Sequence, residues 1–156
     1  MEMRAWYDID PGAPLAGGED IKNSVAAIRS IVAEEIAAGI PSERIALAGF
    51  SQGGVIALEL GLSHNQPLAG IMALSTYLHD HEQITERIGL ANVETSIFMA
   101  HGLSDPVIPI TRAITSREAL IGLNYRVEWH EYAMGHQVCP QEITHISQWL
   151  ASIYPN

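Results

Sequence analysis

Apolar residues recur along the chain with two different spacings. From Asp20 to Ile36 they return every three or four residues, which is the spacing of one face of an amphipathic helix. Gly39 and Pro41 end that pattern. The following run, residues 44–49, is almost continuously apolar, as is typical of a strand buried on both faces of a parallel sheet. The pattern predicts a helix followed by a buried strand.

The same two patterns alternate through the rest of the chain. The prolines and glycines of residues 1–19 predict a loop ahead of the first helix. Strands are predicted at 44–49, 68–74, 96–100 and 125–132. Helices are predicted at 52–62, 82–88, 110–121 and 143–153, the last with an apolar face of Ile143, Ile146, Trp149 and Leu150. This alternation favours the α/β class, with a mostly parallel β-sheet flanked by helices and a single domain over residues 1–156.

The net charge and the cysteine content exclude several classes of function and partner. The chain has 18 acidic and 8 basic residues, a formal net charge of -10 that disfavours nucleic acid and anionic lipid surfaces. A single cysteine, Cys139, excludes an internal disulfide and is expected to be buried. The amino terminus lacks the pattern of a signal peptide, and no apolar run approaches the roughly 18 residues of a membrane span. A cytoplasmic location is therefore predicted.

The segment 49–53, GFSQG, fits the G-x-S-x-G pattern of a nucleophile elbow. A serine hydroxyl projects from such a strand-to-helix turn only if the flanking positions are small, which explains the glycines. The helix that follows directs its N-terminus at the reacting centre, where negative charge develops. The bare pattern occurs by chance in roughly one chain in twenty of this length. Here it lies where a predicted strand meets a predicted helix, which favours Ser51 as a nucleophile.

A base and an acid follow in the order that an α/β-hydrolase requires. Asp105 comes just after the third predicted strand, and His136 just after the fourth. Each alone has an ordinary alternative, since an aspartate before Pro106 is a common turn residue and a histidine after a glycine is a common loop residue. Together with Ser51 they predict a Ser-His-Asp triad at one edge of the sheet.

At this point the sequence resembles the phospholipase/carboxylesterase family of α/β-hydrolases, which includes bacterial carboxylesterases and acyl-protein thioesterases. The resemblance covers nearly the whole chain and is carried by segments 5–9 (AWYDI), 49–54 (GFSQGG), 74–78 (LSTYL), 101–109 (HGLSDPVIP) and 135–136 (GH).

The resemblance implies a serine hydrolase that cleaves carboxylic esters or thioesters of small to medium acyl chains through an acyl-enzyme. Ser51 would be the nucleophile, His136 the general base, Asp105 the orienting acid and Gln52 a donor to the oxyanion. Candidates for the wall of the acyl pocket are Tyr77, Leu78 and Val107. The alternative, which has equal support, is that they are ordinary partly buried hydrophobic residues of loops. Neither a metal nor an organic cofactor is implied.

One part of the family pattern is missing. The family begins well upstream of the AWYD segment, and an L-H-G-x-G-D loop there supplies a second oxyanion donor. We therefore expect this chain to correspond to the C-terminal two-thirds of the family fold, with the strand at 45–48 left without a partner on one side. An exposed apolar strand edge promotes association, so a homodimer or other homo-oligomer is predicted. Loss of one oxyanion donor would cost on the order of 100-fold to 1000-fold in turnover.

Other interpretations remain open from the sequence. The missing loop favours a weakly active or inactive remnant that acts as a binding or oligomerisation module. A third alternative is acyl transfer to an alcohol in place of water. His79, Asp80 and His81 include potential metal ligands, but without a further ligand nearby they are interpreted as a solvated loop.

Overall fold

A computed structural model describes residues 5–7 and 17–154 of the chain. Its helices and strands alternate along the sequence, and two 3₁₀ turns, Ser42–Arg44 and His81–Glu86, lie between them. In chain order the main elements are α1 (Gly18–Ala37), β1 (Ala46–Phe50), α2 (Gln52–Ser63), β2 (Gly70–Leu74), β3 (Ile97–Gly102), α3 (Ile110–Gly122), β4 (Val127–Tyr132) and α4 (Pro140–Ile153).

The four strands form one parallel sheet in the order β1-β2-β3-β4. Each strand pairs with the next one along the chain. Phe50 lies opposite Leu74, and Gly102 lies opposite Tyr132, so the strands end at the same edge of the sheet. The predicted α/β class with a parallel sheet is confirmed. Because loops after parallel strands emerge at this edge, distant parts of the sequence can meet there.

The central strands are buried on both faces, which explains their continuous apolar runs. In β2, Ile71 packs in a cluster with residues of α2 and α3, whereas its neighbour Met72 faces a cluster that contains Trp149 of α4. β3 repeats this alternation, with Ile97 on the first side and Phe98 on the second. Side chains of a strand alternate between faces, so helices on both sides require apolar residues at every position.

Helix α1 packs beside α2 and contributes to the core next to β1. Val32 of α1 joins a buried cluster with Leu47 of β1 and Leu60 of α2. The opposite face of α1 carries charged residues, as expected for a helix packed on one side only. Over residues 5–7 and 17–154, the helices are all too short or too polar to cross a bilayer.

Several predicted boundaries are wrong by a few residues. The first strand starts at Ala46 and not at 44, because Arg44 belongs to a 3₁₀ turn. The short helix predicted at 82–88 is also a 3₁₀ turn. The strands predicted from 68 and 125 begin two residues later, at Gly70 and Val127, whereas the strand predicted at 96–100 covers Ile97–Gly102.

Differences at the ends of the chain have simple causes. α4 begins at Pro140, three residues early, because proline fits the first helical turn, where no intrahelical N–H bond is lost. Ile143 was predicted on the apolar face but is 55% exposed. α1 begins at Gly18, inside the predicted loop, and most of that loop lies outside the described residues.

The sheet face under α4 contains a buried acid. Glu142 in the first turn of α4 is 0% exposed, and neither carboxylate oxygen has a hydrogen-bond partner in residues 5–7 and 17–154. Burial raises the pKa of Glu142, and the nearby Cys139 backbone N–H and the His130 side chain offset only part of this effect. The ionised form is therefore less stable in the folded state than in the unfolded one.

Replacement of Glu142 by methionine is expected to stabilise the protein at neutral pH. A raised folded-state pKa means that stability falls as the pH rises through the unfolded value and on to the folded one. The gain, about 1 kcal/mol or about 2–4 °C in melting temperature, should be present at pH 7 and absent at pH 4. Thermal unfolding at the two pH values measures it. An equal gain at both values would contradict the assignment to an ionised carboxylate.

Candidate active site

Ser51 occupies a sharp turn between β1 and α2. Its backbone has φ 55° and ψ -121°, a positive-φ conformation that residues other than glycine rarely adopt. The turn is fixed from β2 and the loop after it: the Ser51 N–H donates to the Leu74 carbonyl at 2.9 Å, and the Thr76 hydroxyl donates to the Ser51 carbonyl at 2.6 Å. Neighbouring structure thus holds the strained serine in place.

The glycines of the elbow allow the strand and the helix to approach closely. A Cβ on Gly49 would lie 2.0 Å from the carbonyl oxygen of Gly53, and a Cβ on Gly54 would lie 2.5 Å from the Thr76 side chain. Both distances are shorter than any real contact of a Cβ atom. The predicted need for a small residue therefore has a steric origin at Gly49, whereas a Cβ on Gly53 would make only an ordinary contact, 3.6 Å from Nε1 of Trp6.

Three side chains from separate loops form a hydrogen-bonded chain at the carboxyl edge of the sheet. The Ser51 hydroxyl lies 3.0 Å from Nε2 of His136, and Nδ1 of His136 lies 2.7 Å from Oδ2 of Asp105. An ionised carboxylate only accepts, so Nδ1 carries the proton and Nε2 is free to accept from the serine. The arrangement brings together all three residues of the predicted triad.

Asp105 is held as an anion by its own loop. Its side chain is 0% exposed, and Oδ1 accepts the backbone N–H groups of Val107 at 2.8 Å and Ile108 at 2.9 Å. Burial alone would raise the pKa of Asp105, but hydrogen bonds from His136 and from these N–H groups outweigh it and lower the pKa. An ionised acid is what a neutral Nδ1–H imidazole needs beside it.

The loop that carries His136 lies directly against the end of β3. A Cβ on Gly102 would lie 2.3 Å from the carbonyl oxygen of Gly135, so only glycine permits this approach. The Ser104 N–H donates to the Met134 carbonyl at 3.1 Å, which ties the acid loop to the histidine loop. The separation of Asp105 from His136 is thus set by backbone contacts.

Two contacts around the site involve residues that the sequence analysis does not select. The Phe50 ring, 39% exposed, lies with its centroid 4.8 Å from that of His136. His101, at the end of β3, lies 3.4 Å from the same Asp105 oxygen that bonds His136. His101 belongs to the segment 101–109 that carries part of the family resemblance, and this is the only feature of the sequence that could have pointed to it.

Gln52 begins α2, so its backbone N–H has no acceptor within the helix and points into the region ahead of the helix. Its side chain has a separate task. The amide donates to the Tyr7 carbonyl at 2.7 Å and accepts from the Trp6 N–H at 3.2 Å. The side chain of Gln52 therefore anchors the segment 5–7 beside Ser51, and the role of its backbone N–H as an oxyanion donor stays a prediction.

The predicted acyl-pocket residues occupy different environments. Tyr77 and Leu78 are buried and border a cavity of about 340 Å³, whereas Val107 is 59% exposed. The Tyr77 hydroxyl lies 3.1 Å from that of Tyr7, and the Arg112 guanidinium lies 3.5 Å from the centre of the Tyr77 ring. Contact of these residues with an acyl chain stays a prediction.

The other candidates from the sequence lie apart from this chain of contacts. His79, Asp80 and His81 are partly exposed, and the described part of the chain contains no group of three or more His, Cys, Asp or Glu side chains suited to a metal ion. Cys139 was expected to be buried but is partly exposed, because it lies at the start of α4.

A helix-flanked parallel sheet with a serine elbow at its carboxyl edge defines the class of the protein, that of the α/β-hydrolases. The chain belongs to the phospholipase/carboxylesterase family, whose model matches residues 1–154. It is a hydrolase, and the family resemblance noted from the sequence is confirmed.

Individual relatives agree with this assignment. Acyl-protein thioesterase 1 of Neurospora crassa is 39% identical over 99% of this chain, which spans 67% of that protein. The crystal structure of Arabidopsis thaliana SOBER1 matches 97% of the chain with a TM-score of 0.87 at 25% identity, and 74% of that structure is covered. A phospholipase/carboxylesterase from Dyadobacter fermentans matches 92% with a TM-score of 0.80 at 28% identity, and 70% of that structure is covered.

Proposed function

We propose that the protein hydrolyses carboxylic esters or thioesters through an acyl-enzyme formed on Ser51. The main support is the hydrogen-bonded chain from the Ser51 hydroxyl through His136 to Asp105, with lengths of 3.0 and 2.7 Å. A free serine hydroxyl is a poor nucleophile at neutral pH and needs such a base.

The reaction has two halves. His136 Nε2 accepts the hydroxyl proton as Ser51 attacks the carbonyl carbon, and Asp105 stabilises the imidazolium that results. The Gln52 N–H at the N-terminus of α2 donates to the oxyanion. His136 then gives the proton to the departing alcohol or thiol. In the second half it activates a water molecule, which releases the carboxylic acid. The mechanism requires neither a metal nor an organic cofactor.

For the substrate we propose small to medium, uncharged acyl groups. The names of the relatives, acyl-protein thioesterase and carboxylesterase, support both an ester and a thioester as the scissile bond. The net charge of -10 supports an uncharged substrate, because an acidic one would be repelled.

A fluorophosphonate probe tests the proposal directly, since it reacts with an activated serine. The expected result is one label per chain, located on Ser51 by peptide mass spectrometry and lost in His136→Ala. Ser104→Ala is the matched control, because Ser104 is an exposed serine next to Asp105 with no part in the mechanism. A folded native chain that stays unlabelled, or is labelled at another residue, would overturn the proposal.

We also propose that the protein forms a homo-oligomer through the free side of β1. Within residues 5–7 and 17–154, β1 pairs only with β2, and Ala48 and Phe50 on it are exposed. Such an edge favours pairing with another strand. Sedimentation velocity should give at least a dimer mass, and Ala48→Pro, which alters the edge strand, should shift it towards the monomer. A monomer at all concentrations would contradict this proposal.

A further inference from the structure

His101 ends β3 as a fully buried imidazole that the proposed reaction does not use. It is 0% exposed, and its Nε2 lies 2.8 Å from the carbonyl oxygen of Ile108 and 3.4 Å from Oδ2 of Asp105. Both neighbours are acceptors, so Nε2 carries a proton and donates to Ile108. Nδ1 is buried and has no partner in residues 5–7 and 17–154.

Ile108 connects this histidine to the acid. Its carbonyl accepts from His101, while its N–H donates to Oδ1 of Asp105 at 2.9 Å. The peptide groups that support the carboxylate are thus attached to the end of β3 by the imidazole. Oδ2, which accepts from His136, lies between the two histidine rings.

We propose that His101 is a positioning residue for the hydrolytic reaction, which holds the 105–108 loop so that Asp105 meets Nδ1 of His136 in the productive geometry. The inference rests on the proposed roles of Ser51, His136 and Asp105. In this proposal His101 fixes the orientation of the Asp105 loop, and Asp105 in turn fixes the orientation of His136.

Loss of a positioning residue should lower kcat and leave KM unchanged. The His101 side chain is 1% exposed and lies behind an acid that is 0% exposed, so it cannot touch the substrate. If its donor is lost, the Asp105 loop loses its attachment and the His136 imidazolium loses part of its anionic support. The expected loss in kcat is about tenfold to a hundredfold, because small displacements of catalytic groups have effects of this size. The acid limb of the pH profile of kcat should move to lower pH, and KM should not change.

A pair of amide variants tests the inference. The amide nitrogen of glutamine reaches about as far as Nε2 of histidine, whereas that of asparagine falls short of it. His101→Gln should therefore retain most of kcat and the native pH profile, and His101→Asn should lose both. Measurements are kcat, KM and the pH profile with a p-nitrophenyl ester, normalised to the folded fraction from circular dichroism.

His64, just after the C-terminus of α2, provides a control with a second buried histidine. It is 4% exposed, and its Nδ1 lies 3.0 Å from the carbonyl oxygen and 3.2 Å from the backbone nitrogen of Gln66. Asparagine places its amide near the position of Nδ1 but leaves the rest of the buried ring site empty, so His64→Asn should lower the melting temperature without a change in kcat or pH profile.

The outcomes are distinct. The inference is supported if His101→Gln retains kcat and the native pH profile while His101→Asn shows a lower kcat and a shifted acid limb. It is overturned if both variants keep native kcat and pH profile, or if both lose activity only in proportion to unfolding, as His64→Asn would. A native chain that neither hydrolyses the ester nor reacts with the fluorophosphonate contradicts the proposed function itself.

Discussion

Ser51→Ala is expected to lower kcat for a p-nitrophenyl ester by roughly 10⁴-fold to 10⁶-fold, the loss seen when a triad nucleophile is removed. No other described hydroxyl bonds to Nε2 of His136, so no neighbour can replace the Ser51 oxygen. The remaining rate would come from binding and oxyanion stabilisation alone. Steady-state kinetics with active-site titration of the native protein measures the change.

Stability provides the control for this variant. Ser51 holds a strained conformation, and its backbone contacts to Leu74 and Thr76 do not depend on the hydroxyl. The melting temperature should therefore stay within a few degrees of the native value. Ser104→Ala should retain full activity. If Ser51→Ala retained more than a tenth of native kcat, the ester would be cleaved elsewhere.

Asp105→Asn is expected to lower kcat by about 10⁴-fold near neutral pH. An amide has one acceptor oxygen, whereas the Asp105 carboxylate accepts from Val107 and Ile108 through Oδ1 and from His136 through Oδ2. The NH₂ group must therefore face one of these donors. Facing His136, it favours the tautomer with a proton on Nε2, which cannot accept from Ser51. The pH dependence of kcat and an NMR assignment of the His136 tautomer measure the two effects.

The same variant also reports on stability towards acid. The folded-state pKa of Asp105 is lowered below its ordinary value of 3.8, so the carboxylate contributes stability above that value and loses it as the pH falls through the folded one. Asp105→Asn removes this contribution, and its melting temperature should differ most from the native one at neutral pH and least at the lowest pH. A constant difference across the range would show that the carboxylate charge is not responsible.

The sequence was sufficient to predict the fold class and the order of the site residues, because both depend on local signals. Apolar runs such as 68–74 and helical spacing from Asp20 to Ile36 follow from burial in layers. The placement of Asp105 and His136 after predicted strands then put them at one edge of a parallel sheet. The observed distances among Ser51, His136 and Asp105 agree with that prediction, while their catalytic roles remain for experiment.

Contacts between side chains distant in sequence could not be predicted. The approach of Gln52 to Tyr7 and of Phe50 to His136 depends on where loops run in space, and no periodic pattern encodes it. Glu142 lies just outside the helix predicted at 143–153, yet packing of α4 on the sheet buries it completely. The cytoplasmic location, the single domain and the substrate-binding roles of Tyr77, Leu78 and Val107 stay predictions.

The consecutive strand order has a consequence for how the site is assembled during synthesis. Each strand pairs with the one made just before it, so the sheet can grow from β1 to β4 in the order in which the residues emerge. Ser51 and His136 are 85 residues apart, and the histidine follows the last strand. A nascent chain that ends after α3 therefore contains Ser51 and Asp105 but not His136, the proposed base. In the proposed mechanism, Ser51 becomes reactive only when the final strand and its loop have docked.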